Sequence, residues 1–238
     1  ASWNLGYGIV SGIQIALTLV LLLTLRLWKE DRAGASEGEA AGAGKRSLPE
    51  LLRLPGVPQV MACFFCYCAL EVTIGMWAAS YCTLLRGIPA SEASAWGSIF
   101  YLGVTAGRLV SGFITFRVND RNMIRLGQTI CAAGILLVAL PVGNAALLPG
   151  LLLLGLGCAP IYPAIIHETP LNFGAENSQG VIGIQMASAY VGTTLMSPLF
   201  GLLGETISFA ILPAYLAIVL LVMFGMAEWL HRRTQPVR

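Results

Sequence analysis

Charge is what this sequence has least of: Asp, Glu, Lys and Arg make up 11% of its 238 residues, against roughly 25% in soluble domains. Lysine occurs only at positions 29 and 45, and histidine only at 167 and 231. Each scarcity excludes something. With 56% of the residues apolar, the chain carries far more apolar surface than a soluble core can absorb. A membrane barrel is excluded because the strand-period alternation it requires is absent. A retinal Schiff base within a helix is excluded because Lys29 and Lys45 both lie in a polar stretch between apolar runs. The receptor-type signatures expected at the ends of a third and seventh helix are also missing, which argues against a heptahelical receptor.

Catalytic sets are equally scarce. His167 and Glu168 begin the pattern H-E-x-x-H, but Leu171 stands where the second zinc ligand belongs. Ser111 has no histidine beside it, since His167 reads as a helix end and His231 as part of the tail. Six cysteines, Cys63, Cys66, Cys68, Cys82, Cys131 and Cys158, all fall in apolar runs. No acid or histidine matches the depth of the C-x-x-C-x-C cluster at 63 to 68. These cysteines therefore read as small packing residues, and no disulfide framework follows. The expectation is a protein that is not an enzyme and needs no cofactor and no metal.

What is abundant is apolar sequence in long runs. Seven stretches are long enough to cross a hydrocarbon layer of about 30 Å at about 1.5 Å per residue. They lie at about 5–27, 58–84, 93–116, 122–142, 145–167, 179–203 and 207–230. The fold expected is an all-α polytopic membrane protein with seven transmembrane helices. Residues 1–28 hold the first helix and 29–57 a linker rich in Gly, Ala and charge. Residues 58–230 hold six helices, and 231–238 form a tail. At the end of the linker, Ser47 and Glu50 fit a capping box and Pro49 a first helical turn. Leu48, Leu51, Leu52 and Leu54 supply an apolar face for a short interfacial helix.

Counting basic residues in alternate loops gives the orientation. Twelve of the fourteen Lys and Arg fall on one side, in the linker, in the turn Arg117–Arg121–Arg125 and at the C-terminus. Only Arg86 lies opposite, and Arg108 is inside a span. The linker and C-terminus are expected in the cytoplasm and the N-terminus outside.

Spans two to seven make two successive groups of three, and because three is odd the second group crosses the membrane in the opposite sense to the first. The first members of the two groups are the most interrupted by Gly, Pro and polar residues, which marks them as pathway helices.

Glu71 and Arg108 are the two charged residues placed deep in the spans. A buried charge without a partner costs several kcal/mol, so an intramembrane ionisable residue is functional by default. Counted from residue 88 at the intervening turn, the two sit at depths that differ by about 4.5 Å, close enough for an ion pair. Desolvation favours the neutral acid and a neighbouring guanidinium favours the carboxylate, so a motion that changes either can load or release a proton. Glu71 is the candidate proton or substrate carboxylate. Tyr67, Glu71, Gly75, Ala78 and Tyr81 recur at helical spacing with Trp77 beside them. Aromatic rings with polar handles suit a sugar-like solute. Tyr162 lies among Gly155, Gly157, Pro160 and Pro163, which are expected to loosen that helix into a gate. Gln185 shares a face with Ser188 and Gly192, and contacts either a hydroxylated solute or a neighbouring helix. Gly103, Gly107 and Ser111 form a small-residue stripe beside Arg108.

The segment GRLVSGFITFRVNDRNMIRLG, from Gly107 to Gly127, resembles the loop between the eighth and ninth helices of major facilitator superfamily transporters, in the fucose-permease-like branch. GLGCAPIYPAIIHETP (155 to 170) and AENSQGVIGIQMASAYVGTTLMSPLFG (175 to 201) resemble its tenth and eleventh helices. Gly112, Arg117 and Arg121 match the general loop pattern, whereas Phe116 stands where an Asp is expected and Asn119 where a Gly is. A gating salt bridge through that Asp therefore does not carry over. The resemblance implies the sixth helix, the central linker and a C-terminal six-helix half with an inverted 3+3 repeat. It also implies secondary transport of a small polar solute, possibly with a proton. The partners implied are the solute, the bilayer and either a missing N-terminal half or a second copy, with no nucleic acid.

Overall fold

The computed structural model describes residues 3–24, 46–141 and 143–234. Most of the linker, with both lysines, lies outside the described residues, as do 235–238 of the tail. The chain divides into two compact units, residues 1–44 and 45–238.

Among its described residues the first unit holds one helix, α1 (Trp3–Thr24), made of residues with no Pro or charge to interrupt them. The Thr18 and Thr24 hydroxyls donate to the Gln14 and Val20 carbonyls one turn back at 2.8 Å, which satisfies polar atoms within the helix itself. Its large apolar side chains point outward.

The second unit begins with the short helix α2 (Leu48–Leu52), where the Glu50 carboxylate accepts from the Ser47 N–H at 2.9 Å and Leu51 is buried. Six long helices follow: α3 (Val57–Arg86), α4 (Ala90–Ile114), α5 (Asp120–Ala139), α6 (Leu147–Phe173), α7 (Ala175–Thr206) and α8 (Leu212–Arg233). Together with α1, seven helices among the described residues are long and apolar enough to cross a membrane.

Their packing is a two-fold repeat. Exchanging α3 with α6, α4 with α7 and α5 with α8 maps the main contacts onto themselves: α3 on α7 becomes α6 on α4, and α3 on α8 becomes α6 on α5. Burial follows the same symmetry for two of the three pairs: α3 and α6 are the most buried, and α4 and α7 the least buried to the same extent, while α5 is more buried than α8. The two interrupted helices are thus the central ones, and six helices form the inverted 3+3 repeat.

Small residues set the closeness of α6 to its neighbours. A side chain at Gly127 would meet the Gly157 carbonyl, and one at Gly134 would meet the Gly150 carbonyl and the Leu154 backbone. Two glycine pairs seven residues apart therefore bring antiparallel α5 and α6 into backbone contact. On the opposite side, Gly103 and Gly155 face each other across α4 and α6, and Gly107 lies on Leu156 and Ala159. The glycines at 155 and 157 thus serve packing where the sequence suggested loosening. α6 runs as one helix through Pro160, Pro163 and Pro170. Pro160 cannot donate to the Leu156 carbonyl, and that carbonyl lies where a side chain at position 107 would stand.

Two expectations about helix ends are corrected. α6 extends to Phe173, so His167 is two turns inside it, and Gly174 alone separates α6 from α7 with φ 82°. A positive φ there needs glycine. His231 lies in the last turn of α8, buried against α6, and is not part of a tail.

Candidate functional site

Glu71 on α3 and Arg108 on α4 come together, with Arg108 Nη2 3.9 Å from Glu71 Oε1. The acid is mostly covered and the base mostly open, at 23% and 61% side-chain exposure. One turn before Glu71 is Tyr67, fully buried, whose hydroxyl lies against the carboxyl but outside strict hydrogen-bond geometry to any described group. One turn after it, Gly75 is bare where the Tyr101 hydroxyl of α4 lies over the helix.

The next contacts come from α6. Tyr162 packs its ring 5.9 Å from Tyr67 and 4.9 Å from Phe64. Its hydroxyl donates to Met186 Sδ of α7 at 3.4 Å. Four residues on from Met186, Tyr190 shares that face of α7, near Tyr162 and exposed. The site therefore draws Tyr67, Glu71, Arg108, Tyr162 and Tyr190 together from four helices, with Tyr67 buried at its base and Arg108 and Tyr190 exposed. Sequence reasoning missed Tyr101 and Tyr190. The i, i+4 relation of Tyr190 to Met186 was visible, but nothing in one sequence says which α7 face meets Tyr162.

Other candidates point elsewhere. The Trp77 indole N–H donates to the Ser197 carbonyl at 3.0 Å, and its ring packs on Phe200 and Phe209, tying α3 to the far end of α7. Tyr81 donates to the Val138 carbonyl at 3.2 Å, beneath Arg86, whose guanidinium caps the carbonyls of Val138 and Leu140 at the end of α5. Gln185 is fully buried and exchanges hydrogen bonds with Thr169 of α6 at 2.9 and 3.3 Å. Ser188 donates to the Met61 carbonyl at 2.8 Å, and Gly192 lies on the Phe65 backbone.

A cleft of about 730 Å³ runs between α4, α5 and α6, lined by Ser111, Thr115, Asp120, Pro160, Tyr162, Pro163 and His167. Beyond it lies a charge cluster that sequence reasoning left out. Glu228 of α8 accepts two hydrogen bonds from Arg125, at 2.6 and 2.7 Å, and stands 3.6 Å from Arg121. His231 Nδ1 is 3.3 Å from Glu168 Oε1 and His167 Nδ1 is 2.7 Å from Asp120 Oδ2. Arg117 is exposed at the turn between α4 and α5.

The acid–base pair thus joins the first two helices of the first repeat, and comparison with known proteins places the chain as a whole. The sequence profile of the Major Facilitator Superfamily matches residues 1–167 and 62–238. The chain belongs to the Major Facilitator Superfamily. A relative from Yersinia pestis, an uncharacterised MFS-type transporter, is 24% identical over 227 residues, covering 92% of this chain and 56% of its own. Among solved structures, the MFS transporter FucP in the outward conformation superposes with TM-score 0.74 at 19% identity, over 92% of this chain and 53% of that one. A peptide transporter, POT, in complex with sulfate superposes with TM-score 0.67 at 18% identity, over 83% and 42%. The MFS chain described here spans about half the length of the relatives it matches.

Proposed function

We propose that this chain is the C-terminal half, with the sixth helix, of a secondary active transporter that carries a small polar, sugar-like solute together with a proton by alternating access. The observation that carries the reading is the Glu71–Arg108 pair, an acid on the central helix α3 and a base on the neighbouring α4 that is mostly open. The half-buried Tyr162 and the exposed Tyr190 near it offer flat apolar contact with hydroxyl tips, the surface a hydroxylated solute needs. FucP from E. coli, whose fold the chain shares, is a fucose:proton symporter, and that supports both the solute class and the coupling ion.

The open side of the site is completed by the remaining half of the transporter, with α1 belonging to that half. The excess of Lys and Arg puts the linker, the Arg117–Arg125 turn and the C-terminus in the cytoplasm and the N-terminus outside. Glu71 takes a proton in one orientation of the carrier. It gives the proton up in the other, when its distance to Arg108 and its hydration change. Tyr67 lies beside the carboxyl, and Gly107 sets the approach of α4 to the gate helix α6.

The test is uptake by the complete transporter in proteoliposomes, with a panel of sugars and an imposed pH gradient. Wild type accumulates a solute as protons enter with it, and Glu71→Gln exchanges that solute but no longer accumulates it. Unchanged gradient-driven accumulation in the variant sinks the coupling assignment.

A further inference from the structure

Neither histidine of the chain belongs to the Glu71 site, yet His167 stands at the mouth of the cleft that begins there. Its Nδ1 is 2.7 Å from Asp120 Oδ2, with the imidazole 77% exposed and the carboxylate 16%. From this pair the cleft walls lead inward past Thr115 and Ser111 of α4 and Ile166 and Pro163 of α6 to Tyr162. Tyr162 is in ring contact with Tyr67, and Tyr67 lies against Glu71. The cleft thus joins the surroundings of the coupling acid to the end of the protein that carries Arg117, Arg121 and Arg125.

The walls are mostly apolar, and water finds on them the Ser111 and Thr115 hydroxyls, which donate to the Arg108 and Gly112 carbonyls and keep lone pairs free to accept. A volume of about 730 Å³ holds a file of water molecules at about 30 Å³ each. At its mouth is the side chain whose charge changes nearest neutral pH. A carboxylate on Nδ1 fixes the tautomer, so that Nε2 is left as the acceptor.

We infer that this cleft is the route by which a proton leaving Glu71 reaches the cytosol, and that His167, oriented by Asp120, is the residue that hands it over. The inference rests on the proton-coupled reading of Glu71. The Glu71 carboxyl, which Tyr67 and Tyr162 separate from the cleft, loses its proton past these two rings to cleft water and becomes a carboxylate. The proton passes along the water file to His167 Nε2 and then to bulk water, and the imidazole returns to neutral. The other charged groups nearby are engaged elsewhere. Glu168, next in the chain, is turned to His231 of α8, and Arg121 of α5 to Glu228. Arg117 is exposed at the turn, and Arg108 stays with Glu71 at the inner end.

The experiment uses the complete transporter in proteoliposomes with a pH dye inside. Solute counterflow, which moves no net proton, is measured beside gradient-driven uptake. The expected result for His167→Gln is normal counterflow with gradient-driven uptake slowed about tenfold, at the modest end of what a positioned proton-transfer group contributes. Imidazole loaded inside the vesicles restores uptake to His167→Ala and not to Glu71→Gln. Asp120→Asn slows uptake less and moves its dependence on internal pH. Wild-type uptake in His167→Gln while Glu71→Gln uncouples overturns the route and leaves the role of Glu71 standing. Loss of counterflow in both His167 variants, or failure of imidazole to rescue His167→Ala, also overturns it, because His167 is then structural. Coupling that survives Glu71→Gln overturns the underlying reading as well.

Discussion

Arg108 reaches Glu71 across the α3–α4 contact at 3.9 Å with its guanidinium mostly open and the carboxyl mostly covered. The asymmetry means that water already screens the base, so the pair contributes less to stability than a fully enclosed one. Either Arg108→Gln or Glu71→Gln alone is expected to cost about 1 kcal/mol, and the double variant to recover most of it. Thermal unfolding of the three variants in one detergent checks this. A double variant less stable than either single would show that the residues do not act as a pair.

Packing at the glycine contacts leads to a second prediction. A side chain at Gly157 would strike the backbone of Gly127 and Cys131, whereas nothing stands within 4 Å of the space beside Gly183. Gly157→Leu is expected to destabilise by about 1–3 kcal/mol through overpacking. Gly183→Ala should be neutral or stabilising by up to about 1 kcal/mol, since alanine is the better helix former. Melting temperatures of the two variants decide it, and equal effects would mean that α5 and α6 are not in backbone contact.

Much of this architecture was legible beforehand because it rests on local chemistry. Long apolar runs became helices, and the depth of Glu71 and Arg108 followed from rise per residue, so their pairing was visible by counting. Facing was not. Trp77 and Tyr81 share α3 with Glu71, but Trp77 turns to α7 and Tyr81 to α5, and only the neighbours decide which. The polar end of α8 read as a tail because His231, Arg232 and Arg233 end its apolar run. Packing against Glu168 and the Arg125–Glu228 pair keeps that end helical. The stretch after 167 fell outside the spans because its polar residues end the apolar run. The helix continues to Phe173 because Pro170 costs it only the bond to the Ile166 carbonyl, while Thr169 beside it is tied to Gln185 of α7.

The Arg125–Glu228 pair has two parallel hydrogen bonds, with Arg121 as a second cation. Bidentate geometry is the case in which a partly exposed ion pair contributes measurably. Glu228→Gln is expected to lower thermal stability at low salt, by an amount that shrinks as salt is added. The coupling energy from a double-mutant cycle with Arg125→Gln should be about 1 kcal/mol. A cycle that closes at zero would make the cluster a crowd of surface charges with no role in holding α8 to α5.

Gln185 tests the boundary between site and scaffold. Its amide is fully buried, and the Thr169 hydroxyl both donates to it and accepts from it. Thr169→Val keeps the volume but leaves that amide without a partner, at a cost of about 1–3 kcal/mol. Replacing both residues, Thr169→Val with Gln185→Leu, removes the polar atoms together and should recover much of the loss. If Gln185 is scaffold, stability changes while the KM for the solute does not, because the residue holds α7 to α6 without reaching the open side. A raised KM with unchanged stability in Gln185→Leu would instead put the amide in contact with solute. That would require the α6–α7 contact to open during the transport cycle.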